Sequence, residues 1–223
     1  MLLRMRALTE GARALLYYTA GQVDRGALGI DGAQARADCL VPMLKAWGTD
    51  VGCEVASLGV QVHGGMGFIE ETGAAQHYRD ARIAPIYEGT NGIQAADLVT
   101  RKLGYDAGGV LASLFAEIAG DCGDAPEIAE LARACARIAH WMASEASLDD
   151  RLAGSVPFCT MSAVAVAGWQ LQRQARDGAG GEAKRVVARF FAEQIVTEAL
   201  GLKAAATAGA SLLYALNAEV LAG

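Results

Sequence analysis

The chain has 223 residues, of which 53% are hydrophobic, and its 19 basic and 25 acidic residues give a formal net charge of −6. This balance excludes a surface that binds nucleic acid by neutralising phosphates, since such surfaces are rich in Lys and Arg. The length permits one large or two small domains with a buried core. Only four prolines are present, and an alanine-rich sequence favours helices because alanine loses no side-chain entropy on entering one.

The cysteine and histidine pattern indicates neither a metal site nor a redox motif. The five cysteines are widely spaced, with no C-x-x-C pair, and only three histidines are present. We therefore predict no bound metal, and reduced cysteines that act as small apolar residues of a cytoplasmic protein. The longest apolar run, Met161–Trp169, is too short for a membrane span, which needs about 20 residues.

Apolar residues recur at three- and four-residue steps in the first half of the chain, and this spacing predicts helices. A first stripe, Leu2 to Thr19, predicts a helix that ends near the region Gly26–Gly32. A second stripe runs from Leu40 to Val62, with Pro42 near the start of its helix, where a missing N–H is tolerated. Two shorter helices are predicted at Glu70–Arg82 and at about Gly89–Leu103.

The glycine-rich stretch Gly104–Gly109 predicts a boundary between two domains, residues 1–103 and residues 104–223. In the second part, Asp124 is the expected N-cap and Pro126 a first-turn residue of a helix whose apolar stripe reaches Met142. The other helices expected there are Val110–Ala119, Ser155–Arg176, Glu182–Leu202 and Thr207–Leu221. No segment has the two-residue period of a strand, so the predicted fold is all-α, a four-helix bundle followed by a second helical bundle.

The segment from Gln61 to Gln94 combines features that a generic helical protein has no reason to share. A glycine-rich turn, an arginine–aspartate cluster and a single Glu set against a Gly lie at Gln61–Phe68, Tyr78–Arg82 and Tyr87–Asn91. Glu88 is a candidate base, because general bases are commonly carboxylates. Gly89 beside it lets a substrate approach the backbone closely.

This segment resembles the C-terminal helical domain of the acyl-CoA dehydrogenase family, flavoenzymes that oxidise acyl-CoA thioesters to enoyl-CoAs. The family's order is a Gln followed by paired glycines, then Tyr-Arg-Asp, then Tyr-Glu-Gly-Thr. The matching residues here are Gln61–Gly65, Tyr78–Asp80 and Tyr87–Thr90. The wording around His63, Met66 and Gly92 is most similar to long members with an extra C-terminal helical domain, one group of which acts on 3-methylmercaptopropionyl-CoA. Residues from about Leu111 onward, with the stretch Gly154–Phe158, resemble that extra domain.

The resemblance implies roles for particular residues. Glu88 would be the base that removes the α-proton of the thioester, in a dry pocket closed by the acyl chain and the flavin ring. Gly89 would leave the wall of the substrate pocket bare. The residues expected to contact FAD are Gln61, Val62, His63, Gly64, Gly65, Thr90, Asn91 and Gly92, the first five on the flavin of a neighbouring subunit.

The residues themselves leave plainer interpretations open. A lone Glu at this position would only complement a helix N-terminus, and a Gly-Gly-x-Gly run would be a tight turn. The cluster Arg79, Asp80 and Arg82 is better interpreted as ion pairs that hold the loop of Glu88 than as a phosphate site. The three tryptophans are expected in the core: Trp47, Trp141 and Trp169.

A complete family member also has an N-terminal helical domain and a central β-domain, and the resemblance covers neither. The chain is therefore expected to be a fragment, a split subunit or a truncated frame, inactive alone. Its expected partners are that missing half, acyl-CoA, further copies of itself and an electron-acceptor protein, with no nucleic acid and no membrane. The alternative function is a truncated, non-catalytic helical module or assembly subunit without flavin.

Overall fold

The computed structural model describes residues 1–178 and 180–222, apart from the side chain of Ala107. Within these ranges the chain is helical and has no strand, which confirms the predicted all-α fold. The main helices are α1 (Leu2–Ala27), α2 (Ala33–Val62), α3 (Ala74–Ala81), α4 (Asn91–Asp97), α5 (Gly109–Asp121), α6 (Pro126–Ser144), α7 (Leu148–Ala153), α8 (Ser155–Arg176) and α9 (Gly181–Phe190).

Two of these helices continue with a wider turn. A π-helix, Leu98–Lys102, extends α4, and a second one, Phe191–Val196, extends α9 into the α-helical turn Thr197–Leu200. Shorter elements, each an α-helical or 3₁₀ segment of one turn or slightly more, are Gly65–Phe68, Glu70–Thr72, Tyr105–Gly108, Lys203–Ala206, Ser211–Tyr214 and Ala218–Ala222.

Helix α8 lies at the centre of the molecule. Every residue from Met161 to Leu171 is buried, and α8 packs against α1, α2, α4, α6 and α9. A helix that is apolar all round needs cover on every side, and here protein supplies it. The apolar run in the sequence is therefore explained by the core, and within the described residues no helix is long and apolar enough to cross a membrane.

One hydrophobic core joins the two predicted parts of the chain. Trp47 of α2 meets Phe191 edge-on, with ring centroids 6.2 Å apart, and Tyr18 of α1 meets Trp169 of α8 at 5.3 Å. Edge-to-face aromatic pairs of this kind stabilise by about 0.5–1.5 kcal/mol beyond the area they bury. Trp47 and Trp169 are buried as predicted, whereas Trp141 is only half-buried at the edge of the core.

Two local predictions about helix ends are wrong. Pro42 is not near a helix start: α2 begins at Ala33, so Pro42 lies inside the helix, where it removes the N–H that would bond the Asp38 carbonyl. Burial of Pro42 against the core lets α2 continue past this break. Asp124 is not the cap of α6, because Ala125 holds that position and Arg176 of α8 takes the Asp124 carboxylate instead. Pro126 does open α6 as predicted.

The predicted C-terminal helix Thr207–Leu221 is also wrong as a single element. The helical turn Lys203–Ala206 ends at Thr207, the chain turns at Gly209, and the Asp150 carboxylate accepts the N–H of Ala210 at 2.9 Å. A 3₁₀ turn and a short helix follow. Their apolar side chains stay exposed, which an amphipathic helix on the core would not allow: Leu212, Leu213, Tyr214 and Leu216.

Four of the five free cysteines are buried, in agreement with the predicted apolar role. Burial raises the pKa of each of these thiols to about 12: Cys39, Cys122, Cys135 and Cys159. A thiol that stays protonated is neither a nucleophile nor a metal ligand. Among the residues that the structure describes, no three His, Cys, Asp or Glu side chains group closely enough to hold a metal ion.

Candidate functional site

The loop before α4 holds Glu88 in an uncommon backbone conformation. Its φ is +51°, in the left-handed region, and Gly89 follows with a φ of +88°. The left-handed conformation costs a residue with a Cβ about 1–2 kcal/mol. Such strain persists only where the surrounding structure imposes it, and it is concentrated at functional sites.

The Glu88 carboxylate lies on the surface of the described chain. Its side chain is 76% exposed, and Lys45 Nζ of α2 lies 3.8 Å from Glu88 Oε2. An exposed pair at this distance adds little stability, because water screens it. The dry pocket expected around Glu88 is thus not supplied by the described residues themselves.

The start of α4 is tied to one turn of α2 through Asn91. The Asn91 Nδ2 group donates to the Ala46 carbonyl at 2.9 Å and to Asp50 Oδ1 at 2.8 Å. The Asn91 backbone N–H bonds the Pro85 carbonyl at 3.1 Å and so closes the loop that contains Glu88. The Nδ2 group of Asn91 is thus directed to α2, and the predicted flavin contact of Asn91 stays a prediction.

Thr90 and Gly92 flank this anchor at the N-terminus of α4. Thr90 is the N-cap, and its hydroxyl oxygen accepts the N–H of Ile93 at 3.3 Å. Gly92 and Ile93 are exposed. The backbone N–H groups of a first helical turn favour anions, so the predicted contacts of Thr90 and Gly92 remain compatible with this position.

The predicted flavin-contact residues Gln61–Gly65 lie where α2 ends. All five are exposed, and His63 Nδ1 lies 2.8 Å from the Gly59 carbonyl. Gly64 has a φ of +60°, and a Cβ added to Gly64 or to Gly65 would meet nothing within 4 Å. This bare backbone is accessible to a group outside the described chain.

The structure separates these residues from Glu88. The Glu88 loop is tied to α2 at Lys45, Ala46 and Asp50, and Gln61 lies eleven residues beyond Asp50 on the same helix. At a rise of 1.5 Å per residue this is roughly 16 Å. The predicted site residues therefore form two separate half-sites along α2: Gln61–Gly65 at its C-terminal end, and the Glu88 loop beside Lys45–Asp50.

Arg79 does not hold the Glu88 loop. It pairs with Glu70 at 3.0 Å and so joins α3 to the 3₁₀ turn Glu70–Thr72. Within that turn region Gly67 is buried, and a Cβ on it would lie 2.1 Å from the Val60 carbonyl oxygen. Sequence reasoning missed Gly67, although the Gly-Gly-x-Gly run contained the signal.

A cleft of about 660 Å³ lies between α1, α2 and α3. Its floor is largely apolar, and its polar residues include Arg13, Thr72, His63 and His77. The volume is typical of ligand pockets, but Glu88 is not among its lining residues. His63 alone connects the cleft to the predicted flavin-contact residues.

Asp50 is a second residue that sequence reasoning missed. Desolvation raises the pKa of its carboxyl, while the hydrogen bond from Asn91 and the nearby charge of Arg82 oppose that rise. No sequence signal joins Asp50 or Lys45 to a loop about forty residues later. Only the packing of that loop on α2 brings them together.

Comparison with known proteins assigns both parts of the chain. Residues 1–103 match the model of the acyl-CoA dehydrogenase C-terminal domain, and residues 111–217 match the model described as acetyl-CoA dehydrogenase C-terminal like. The chain belongs to the acyl-CoA dehydrogenase family. The predicted family resemblance is thereby confirmed.

Two curated members of the family illustrate the match. A 3-methylmercaptopropionyl-CoA dehydrogenase of Ruegeria pomeroyi is 46% identical over 89% of this chain, and the broad-specificity linear acyl-CoA dehydrogenase FadE5 of Mycobacterium tuberculosis is 33% identical over 87%. The chain spans 38% of the length of each. It therefore corresponds to less than half of either relative.

The fold has a counterpart among solved structures of the family. An acyl-CoA dehydrogenase from Bacillus anthracis, solved in complex with FAD, superimposes with a TM-score of 0.70 at 22% identity. The match covers 99% of this chain and 42% of that one. At this identity the likeness concerns the helical fold alone.

Proposed function

We propose that this chain is the C-terminal, base-bearing part of an FAD-dependent acyl-CoA dehydrogenase that desaturates an acyl-CoA thioester between its α- and β-carbons. The observation that carries the proposal is the backbone of Glu88, held at φ +51° in a loop that is closed and tied to α2. A Glu whose backbone is strained and whose loop is anchored is expected to be a catalytic base. A residue that only complements a helix end would not need this strain.

The residues present fit a flavin that approaches from outside the described chain. Gly64 and Gly65 offer bare backbone, and the first turn of α4 at Thr90 and Gly92 suits an anionic group. Exposed apolar side chains flank these positions and would suit burial against a flat ring or a covering domain: Val62, Phe68, Ile86, Tyr87 and Ile93. FAD, when bound, would supply the acceptor for the hydride that leaves the β-carbon.

Glu88 would take the α-proton onto a carboxylate oxygen. Its exposure in this chain means that its burial has to come from substrate and from a covering domain, and this supports a partnership with the remainder of a longer enzyme. Gly89 places no side chain beside the base, so the thioester could come close to it. The other proposed partners are further copies of the chain and an electron-acceptor protein. Neither half-site on α2 is enclosed by this chain alone, so each needs further protein to complete its binding site.

The test is Glu88→Gln in a complete enzyme that joins this chain to the flavin-binding part. We expect thioester-dependent dye reduction to fall by about 10²–10⁴-fold, the usual contribution of a general base. Flavin absorbance should be unchanged, which shows that the variant still loads its cofactor. Glu71→Gln, an exposed Glu of the same segment, is the matched control and should keep its activity. Full turnover by Glu88→Gln would refute the assignment of the base.

The exposure of Glu88 and of the apolar side chains around it also favours a second candidate, a non-catalytic assembly module. Such a module would be folded and oligomeric but would bind neither flavin nor acyl-CoA, whether alone or joined to a flavin-binding part. Flavin absorbance of the purified, joined protein separates the two candidates, since only the enzyme would carry the yellow cofactor.

A further inference from the structure

The turn of α2 from Ala46 to Asp50 contacts the loop of Glu88. This turn lies outside the motifs on which the family resemblance was based. Ala46 and Asp50 accept both N–H donors of the Asn91 side-chain amide, at 2.9 and 2.8 Å. Since two acceptors face this end of the amide, its orientation is fixed: the Nδ2 group points to α2, and Oδ1 lies 3.0 Å from the Thr49 hydroxyl. Both N–H donors of the Asn91 amide are thus used within the protein.

Asn91 also closes the loop by its backbone. Its N–H bonds the Pro85 carbonyl at 3.1 Å, so residues 85 and 91, the two ends of the loop, are held together. The tip between them contains the left-handed pair Glu88 and Gly89. Because the side chain of Asn91 is held on α2 at Ala46 and Asp50, these contacts help to set the position of the loop and of Glu88 within it.

Lys45 belongs to the same turn of α2 and faces the Glu88 carboxylate. The charged groups around the anchor are thus one cation beside Glu88 and one, Arg82, beside Asp50. A carboxylate that must lie within about 0.5 Å of a productive position needs supporting contacts of this kind behind it. The hydrogen bonds of Asn91 supply them from a rigid helix and not from another loop.

We propose that Asp50 and Asn91 are positioning residues for Glu88, which hold its loop on α2 so that the carboxylate is placed for proton abstraction. This inference rests on the proposed function, because it gives the pair a role only if Glu88 is the base. The chemistry needs an acceptor at position 50 and an amide donor at position 91. It does not need the negative charge of Asp50.

The variants Asp50→Ala and Asp50→Asn form a matched pair that separates the hydrogen-bond acceptor at position 50 from its negative charge. Asp50→Asn keeps an oxygen that accepts from Asn91, whereas Asp50→Ala removes it, and neither change disfavours an exposed helix position strongly. In this chain, NMR hydrogen exchange of the backbone N–H of residue 91, which bonds the Pro85 carbonyl, should accelerate about tenfold in Asp50→Ala, because the loop opens more easily once its hydrogen bond to a charged group is lost. It should stay within about twofold of wild type in Asp50→Asn. Asp80→Ala, an exposed Asp on α3, is the control and should change nothing.

In the complete enzyme, Asp50→Ala should lower kcat about tenfold and leave KM unchanged, while Asp50→Asn restores kcat. Asn91→Ala should repeat both effects of Asp50→Ala and serves as the second variant. Equal effects of Asp50→Ala and Asp50→Asn would overturn the proposal, since charge and not the hydrogen bond would then matter. So would unchanged exchange and unchanged kcat in Asp50→Ala. If Glu88→Gln keeps full turnover while the exchange results hold, the proposed function fails and the loop anchor stands as structure only.

Discussion

Residues 61–94 and helix α8 differ both in burial and in the presence of sequence motifs. The first region contains the predicted site residues, yet it leaves Phe68, Ile83 and Tyr87 exposed and holds the backbone of Glu88 in a costly conformation. Helix α8 carries no chemical motif, and Met161–Leu171 within it is wholly buried. The contrast teaches that the residues that stabilise the fold differ from those proposed to act in catalysis, and that residues 61–94 rely on α2 and the core for their shape.

The largest expected effect lies in the core. Phe158 of α8 is fully buried and meets Phe115 edge-on at 6.4 Å. Phe158→Ala should lower the free energy of unfolding by about 3–5 kcal/mol, because it removes transfer energy and leaves a cavity. Phe68→Ala, whose side chain is 83% exposed, should change it by less than about 0.5 kcal/mol. Urea denaturation followed by circular dichroism measures both, and similar losses would break the contrast between the two regions.

Within residues 61–94, Gly67 is a buried position that leaves no space for a side chain. Gly67→Ala places a Cβ 2.1 Å from the Val60 carbonyl oxygen, so the backbone has to shift, at a cost of about 1–3 kcal/mol. Gly65→Ala meets nothing within 4 Å and is the matched control. Thermal unfolding of the two variants should differ clearly. Equal stability would mean that the turn Gly65–Phe68 adapts freely.

The strain at Glu88 should appear as a gain when it is relieved. Asn tolerates the left-handed region better than Glu, so Glu88→Asn should raise the free energy of unfolding by about 0.5 kcal/mol. Glu71→Asn, in the 3₁₀ turn of the same segment and without a positive φ, should bring no such gain. A more stable Glu88→Asn protein would show that the loop of Glu88 loses stability through its backbone geometry, as expected if that geometry serves the proposed function. A loss of stability in Glu88→Asn would argue that the side chain is held by contacts and not strained.

The smallest effects should come from two carboxylates, Asp124 and Asp50, whose pKa values shift in opposite directions on folding. A hydrogen bond from Arg176 lowers the pKa of Asp124, so its stabilisation is present above the ordinary pKa of about 3.9 and is lost as the pH falls through the folded-state pKa. Desolvation raises the pKa of Asp50, so its ionisation costs stability as the pH rises above about 3.9 toward the folded-state pKa.

Asp124→Asn should therefore be less stable than wild type at pH 7, and Asp50→Asn slightly more stable. Both differences should disappear when denaturation is repeated in strong acid. Each should stay within about 0.5 kcal/mol, because water screens exposed charges. The same sign for both variants at pH 7 would contradict the opposite environments of the two carboxylates.

The sequence predicted helices with clear apolar stripes, such as α1 and α8, almost to their ends, because their periodicity records the face that each buries. It placed Pro42 wrongly because the polar first turns of α2 carry little apolar periodicity. The π-helical turn Phe191–Val196 was beyond reach, since the spacing of apolar residues in a wider turn depends on tertiary packing.

Glu88 could be singled out from the sequence because its neighbours form a local motif. The anchor behind it could not, because Asp50 and Asn91 are 41 residues apart and local patterns carry no information about such a contact. The same limit explains why Arg79 was expected at the Glu88 loop and instead pairs with Glu70. Exposure was also unpredictable, since the dry surroundings expected for Glu88 are absent from the described residues.

The uninterrupted length of α2 has a geometric consequence for the two half-sites. Between Asp50 and Gln61 the helix acts as a ruler: inserting one residue would lengthen it by about 1.5 Å and rotate one half-site against the other by roughly 100°. Replacing side chains along this stretch changes neither quantity. We therefore expect α2 to tolerate changes of composition better than changes of length, since one residue gained or lost there would turn the proposed flavin contacts away from the proposed base.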